Sequence, residues 1–310
     1  MDRMSFFIVL LLLAACQPLT PVPTLATARR APTRTPLLPA GSTPGLPPSA
    51  TAYPTRTPAD ILALASPLTP TITHTATNTP TPTLLSGHAP VLPPIKRTFI
   101  TNGSRDKPLV ALTFDMCQKP ELPSWFDKKI YQALVDSNTR ATFFLGGDWM
   151  RTHIPETRLL AGNSLFELGN HSYTHPDLPD LNSDQISREV LKTQDMLYHL
   201  TGRQPRIFRL PSGKYNDLVL DTIALRGLYT IQWDADTADP VPGNDAENIL
   251  RLVQERVHNG SIVLMHANGR GWHTGEALPA IITYLRAQGY CLVTVPQLIG
   301  LDPVPSDCSQ

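Results

Sequence analysis

From residue 109 onward the chain alternates between short apolar runs and longer amphipathic ones. Seven runs are rich in β-branched or aromatic residues: Leu109–Asp115, Ala141–Leu145, Phe166–Asn170, Ile207–Leu210, Tyr229–Asp234, Ser261–Met265 and Cys291–Val295. All are of strand length and too short for an ordinary helix. Three intervening stretches repeat apolar residues at helical spacing: Gln185–Leu200, Asp245–Val257 and Glu276–Gln288. The first opens after Asn182 with Gln185 three positions on, a capping signal, and the last is closed by Gly289. Strands alternating with helices predict a parallel sheet. About seven such units predict an α/β fold of the (β/α) barrel kind.

The polar residues sharpen this picture, because they gather where the apolar runs end. Asp115 ends the first run, Asn170-His171 the third, Arg209-Leu210-Pro211 the fourth, Trp233-Asp234 the fifth and Met265-His266 the sixth. In a (β/α) barrel every strand's carboxyl end opens on one face, and that face carries the active site. Core or surface residues with no shared role would not collect there.

The first third of the chain follows a different pattern. Met4–Ala15 is a twelve-residue apolar run broken only by Ser5. It is too short to span a bilayer but suits the apolar core of a secretory signal. It ends in Leu13-Ala14-Ala15-Cys16, which resembles a bacterial lipobox and predicts lipid attachment at Cys16. Residues 16–96 hold more than half of the chain's 32 prolines, many threonines and one acidic residue, Asp60. Such a segment cannot bury enough apolar surface to offset its ordering entropy, and Pro-rich chain is extended. The expected organisation is a signal peptide over 1–15, a disordered Pro/Thr-rich stalk over 16–96 and one globular domain over 97–310. That domain would face outward from a bacterial cell surface, tethered to the membrane by its lipid, as a monomer.

Residues 97–310 carry 20 Lys and Arg against 24 Asp and Glu, with no basic stripe interleaved with aromatics. Nucleic acid is therefore not an expected partner. Three cysteines fall in the domain. In an exported protein one pair is free to oxidise. Cys291 and Cys308 would close a short loop and leave Cys117 free, although sequence does not fix connectivity.

Four stretches offer chemistry. In GNHSYTHPDL, His171 and His175 lie four apart, a spacing that lets two imidazoles share a metal. No Glu follows His171, and Pro176 forbids a continuing helix, so this is not the zinc-protease pattern. In FRLPSGKYN, Arg209 sits in an apolar strand, a cation placed to hold a carboxylate and lower its pKa. QWDADTADP brings Asp234, Asp236 and Asp239 within six positions, able to pair with Arg209 or orient a histidine. In SIVLMHANGRGWHT, His266 follows a strand, where an imidazole can act as general acid.

Taken in order, TFD, HSxxH, RxPxG, DxxD and LMH resemble the polysaccharide deacetylase family, the NodB homology domain of carbohydrate esterase family 4. The match runs over about 108–300. The resemblance implies a distorted, incomplete (β/α) barrel that removes N- or O-acetyl groups from glycans with a divalent cation, zinc first, cobalt or manganese next. It implies Asp115 as general base, His266 as general acid, His171 and His175 as metal ligands, and Arg209 as the residue positioning the base. Asp236 and Asp239 match the two Asp of DxxD, implied to support Arg209 and His266. Leu264 would line the acetyl pocket, with Pro211, Ser212 and Trp233 around it. Trp272 is expected to stack on a sugar or simply to pack. The substrate would be peptidoglycan or another acetylated polysaccharide.

One departure stands out. The family's TFDDG reads TFDMC here. Met116 replaces a carboxylate ligand, and thioether is a poor ligand for hard or borderline cations. Three outcomes are open: a metal held by the two histidines with Asp115 or water, a metal also held by Cys117, or a degenerate domain that only binds glycans. An aspartate restored at 116 would be expected to tighten metal binding.

Overall fold

The computed structural model describes residues 87–119 and 121–308. The expected signal peptide, Cys16 and the stalk as far as residue 86 lie outside the described residues. Eight strands form one all-parallel sheet: β1 Leu109–Met116, β2 Ala141–Leu145, β3 Phe166–Asn170, β4 Ile207–Arg209, β5 Tyr229–Ile231, β6 Ala235–Asp236, β7 Ile262–His266 and β8 Cys291–Leu292. Seven lie on a single path, β5-β4-β3-β2-β1-β7-β6, while β8 pairs with the start of β1.

The two ends of that path are joined by Gln232–Asp234 alone. Three residues reach at most about 15 Å, so the sheet must curl until its edges approach. β5 and β6 do not pair. Ile100 bridges to Ile231 and Asn102 to Ser261, so the chain before β1 lies across the gap. The result is an incomplete (β/α) barrel.

The helices are α1 Lys128–Asp136, α2 Gly147–Thr152, α3 Ile154–Gly162, α4 Ser183–Thr201, α5 Asp217–Leu225, α6 Ala246–Arg256, α7 Thr274–Ala287 and α8 Val295–Leu298. The three helical stretches read from spacing appear as α4, α6 and α7. Asn182 and Gln185 form the expected capping box on α4, and Asp245 caps α6 through the amide of Asn248. The fifth apolar run is corrected: Tyr229–Asp234 is not one strand. β5 stops at Ile231, and Asp234 turns away to bind Arg105, Ser261 and the amide of Ile262.

The docked chain also begins before residue 97. The Ala89 amide donates to Asp195, Leu92 packs beside Leu228 and its neighbours, and the Ile95 amide donates to the Ala224 carbonyl. At the other end Cys291 and Cys308 form a disulfide, and Cys117 is a free, buried thiol.

Alternation along β1 decides what each residue of the opening motif can do. Successive side chains on a strand point to opposite faces. Leu109 and Ala111 belong to the inner cluster with Phe144, Ile207 and Ile262. Val110, Leu112, Phe114 and Met116 belong to the outer cluster, packed with Ile130 and Leu134 of α1 and Leu278 of α7. Thr113 and Asp115 continue the inner face. Met116 is completely buried in apolar surroundings and points away from the barrel mouth. In this packing, Met116→Asp should bury an uncompensated charge and cost about 3–5 kcal/mol at neutral pH. Thermal unfolding of the variant checks this, and the loss should shrink at acid pH as the new carboxyl takes a proton.

Candidate active site

The parallel register brings the polar strand ends together. Asp115 on β1 stands opposite His266 on β7, and Thr113 opposite Leu264. Asn170 on β3 pairs with Phe208 on β4, which sets His171 beside Arg209. Leu264, Asp239 and Arg209 are all buried at this end.

Arg209 is fully buried, with its guanidinium against the Phe144 ring at 4.1 Å and 5.7 Å from the Trp233 ring. Nη1 donates to Asp115 Oδ1 at 2.9 Å and to Thr113 Oγ1 at 2.7 Å, and Nη2 donates to the Gln232 carbonyl at 3.2 Å. Burial alone would raise the Asp115 pKa. The charge and hydrogen bond of Arg209, with the His266 charge, outweigh it, and the carboxyl ends below its ordinary value.

His171 donates from Nδ1 to the Arg209 carbonyl at 3.0 Å. A carbonyl only accepts, so the proton sits on Nδ1. Nε2 keeps its lone pair, 3.5 Å from Asp115 Oδ2. The His171 and His175 rings meet edge to face at 4.9 Å. Burial lowers the pKa of both, that of His175 to about 3, so both imidazoles are neutral. Neutral imidazole is the form that binds metals.

The loop between them is strained and pinned. Ser172 and His175 have φ of 60° and 59°, unusual for residues with a Cβ. Glu189 of α4 accepts from the amides of Tyr173 and Thr174 and from the Thr174 hydroxyl. Asn170 holds the loop's start, accepting from the Ser172 amide. Ser212, in the turn after β4, is strained likewise at φ 54°.

Cys117 is the first residue past the end of β1, two positions after Asp115. Its Sγ and one ligand nitrogen each from His171 and His175 all lie within 4.8 Å of one another. His175 Nδ1 is buried with no hydrogen-bond partner. Two neutral imidazoles, a thiol, one orphaned ring nitrogen and an adjacent carboxylate fit a divalent cation.

Across the mouth, Asp239 is fully buried and accepts three hydrogen bonds: from the His266 amide at 2.7 Å, from His266 Nδ1 at 2.9 Å and from Thr274 Oγ1 at 2.7 Å. His266 Nε2 is thereby left to face the pocket. Burial disfavours the imidazolium, but the charge and hydrogen bond of Asp239, with Asp115 behind, outweigh it and raise the pKa. Gly271 lets the loop pass closely, since a Cβ there would collide with Asp239, Thr274 and the His266 carbonyl.

Comparison with known proteins agrees with this constellation. Residues 102–231 match the family model described as polysaccharide deacetylase. A peptidoglycan-N-acetylglucosamine deacetylase of Bacillus cereus is 33% identical over 205 residues, 66% of this chain and 72% of that protein. The chain belongs to the polysaccharide deacetylase family.

Other relatives of this deacetylase-family domain include the uncharacterized protein YlxY of Bacillus subtilis, 34% identical, with 64% of this chain matching 60% of that protein. Among solved structures, the Bc1960 peptidoglycan N-acetylglucosamine deacetylase superposes with a TM-score of 0.60 at 30% identity, covering 66% of this chain and 94% of that one. BA3943 of Bacillus anthracis, described as a CE4 family pseudoenzyme, superposes at 0.59 with 32% identity, covering 66% and 69%.

Of the residues singled out in the sequence of this family member, Asp115, Cys117, His171, His175, Arg209, Asp239, Leu264 and His266 converge. Pro211 is buried and Ser212 exposed in the turn beside them, and Trp233 lies against Gly213. Asp236 does not join them: its Oδ1 accepts from the Ala238 amide, a local turn bond. Neither Asp of DxxD touches Arg209, whose carboxylate partner is Asp115. Trp272 stands outside the mouth, on the far side of its loop, more than half exposed, with Nε1 donating to the Pro240 carbonyl. With Trp125 it lines a surface groove of about 380 Å³.

Sequence reasoning missed Thr113, Glu189, Asn268 and Arg270. Thr113 carried a readable signal, being polar and two positions before Asp115 on a buried strand. The others act across long separations.

Replacing Arg209 by Leu leaves Asp115 buried without its cation. The wild-type carboxyl has a depressed pKa, so its pairing contributes stability above the unfolded pKa, and that contribution fades as pH falls through the lower folded value. Arg209→Leu should therefore cost about 3–5 kcal/mol at pH 7. The gap from wild type should narrow below about pH 4, which urea titrations across pH would reveal.

Proposed function

We propose that the domain hydrolyses acetyl groups, N-acetyl first, from a cell-wall or extracellular polysaccharide, using a divalent cation. One observation carries this reading. Asp115 and His266 occupy facing register positions beside the His171–His175 pair, with pKa values pushed in opposite directions. A base held ionised and an acid held protonated at the same pH are the requirement for amide hydrolysis.

A cation bound at His171 and His175 would supply Lewis-acid polarisation of the acetyl carbonyl and a more acidic water. Asp115 accepts the proton of the attacking water, with Arg209 and Thr113 fixing its orientation. The backbone N–H after Pro211 is the proposed donor to the oxyanion. His266 delivers a proton from Nε2 to the leaving nitrogen while Asp239 holds Nδ1. Trp125 and Trp272 offer two exposed rings one loop away, suited to the apolar faces of neighbouring sugars. Zinc fits the donor set first, then cobalt or manganese. An O-acetyl ester would react at the same groups.

Acetate release from N-acetylated and O-acetylated glycans, with added Zn²⁺, Co²⁺ or Mn²⁺, tests the reading. Asp115→Asn and His266→Ala should each lower the rate about 10²–10⁴-fold. The pH profile should lose activity below the ordinary carboxylate range, as Asp115 protonates, and above the ordinary imidazole value, as His266 deprotonates. Asp239→Asn should move the alkaline limb to lower pH. A second reading, a degenerate glycan binder, is favoured by the similarity to BA3943 and by Met116. It wins if no ion elicits acetate while glycan is still retained.

We also propose export and lipid attachment at Cys16, supported by the apolar run ending Leu-Ala-Ala-Cys. Cys16→Ser should move the protein from the membrane to the soluble fraction, read by fractionation and blotting. A variant that stays with the membrane would rule out the lipid anchor.

A further inference from the structure

We propose that Cys117 is a third protein ligand of the metal centre, standing in for the carboxylate that position 116 does not offer, and that the His171–His175–Cys117 set is selective for thiophilic cations. The proposal rests on the metal-dependent reading above, whose pocket it shares.

Geometry carries it. Met116, the last residue of β1, packs into the outer core, and Cys117, just past the strand's end, turns to the histidines. The Cys117 Sγ and one nitrogen from each histidine lie within 4.8 Å of one another. Ligand atoms around a tetrahedral zinc stand about 3.5 Å apart, so modest side-chain movement closes the set on one ion.

A buried cysteine commonly serves as a small apolar filler. The surroundings of Cys117 do not suit that role. It belongs to none of the three apolar clusters among the described residues. Instead two N–H groups point at its sulfur, Asn268 Nδ2 and Arg270 Nη1, each at 3.5 Å. Asn268 Nδ2 also donates to the Cys117 carbonyl at 2.6 Å, fixing the backbone beneath. Arg270 Nε and Nη2 are buried with no hydrogen-bond partner among the described residues. A metal-bound thiolate would accept these N–H donors more strongly than the thiol does. As the metal–sulfur bond forms, the thiol proton leaves to solvent. Soft thiolate favours Zn²⁺, Co²⁺ and Cd²⁺ over Mn²⁺ and Mg²⁺.

Asn268 and Arg270 then act as positioning residues for the thiolate. Both come from the loop after β7, so the strand that supplies the general acid also stabilises the substitute ligand.

Cobalt spectroscopy on the full-length protein in detergent, stripped with chelator and reloaded with Co²⁺, gives the test. Wild type should show thiolate-to-cobalt charge-transfer absorption in the near ultraviolet, saturating at one equivalent. Cys117→Ser should lose that band and bind Co²⁺ about 10–100-fold more weakly through the remaining histidines. Cys117→Asp should reduce the preference for Zn²⁺ over Mn²⁺ in competition titrations. Should the serine variant fail to fold, the wild-type spectrum alone decides. Cobalt-loaded wild type without the band, or Cys117→Ser that keeps it, would overturn the assignment. The band with no acetate release sinks only the deacetylase reading; acetate release without the band sinks only the ligand assignment.

Discussion

A buried arginine holds the barrel mouth together. Arg209 leaves β4 with no exposed surface, lies against Phe144 of β2, reaches Thr113 and Asp115 on β1 and donates to Gln232 where the chain leaves β5. A guanidinium taken wholly out of water is costly unless its charge and donors are met. The Asp115 carboxylate meets the charge, and the strand geometry delivers two further acceptors, Thr113 Oγ1 and the Gln232 carbonyl. Its backbone carbonyl also fixes the tautomer of His171. One residue therefore sets the ionisation of Asp115 and leaves Nε2 of His171 free.

Around that pair the pocket separates charge over a few ångströms. The Asp115 pKa is lowered by Arg209, those of His171 and His175 are lowered by burial, and that of His266 is raised by Asp239. Each state follows from a different balance. Burial wins at the two histidines of the pinned loop, where no carboxylate hydrogen bond compensates it. A fully buried carboxylate beats burial at His266. The strained turns at Ser172, His175 and Ser212 cluster at the same end, where the surrounding contacts over-determine them.

The similarity to BA3943, a pseudoenzyme, bears on the altered ligand position. Loss of a carboxylate from a metal site can abolish catalysis or be compensated. In this chain every group serving proton transfer remains connected, down to the three hydrogen bonds on Asp239. A domain that only bound glycans would have no need of an acid and a base with opposed pKa shifts. As a ligand, the buried thiol, with two donors aimed at its sulfur, would be a compensating change in the same motif.

The sequence by itself determined the parallel barrel, because strand-length apolar runs and helical periodicity are local properties. It also determined that Asp115, His171, Arg209 and His266 share a face, because parallel strands put all their carboxyl ends on one side. It did not determine which carboxylate meets Arg209. DxxD offered two candidates, yet Asp236 spends its side chain on a local turn and Asp239 crosses to His266. Pairing across the barrel depends on register, which no local pattern encodes. The strand assumed over Tyr229–Asp234 failed for a related reason: those residues close the curl between the sheet's two edges, a demand of tertiary shape. Met116 was legible as a missing ligand but not as a core residue. Only the packed helices show that its face of β1 is the dry one, and that the next residue, Cys117, turns back to His171 and His175.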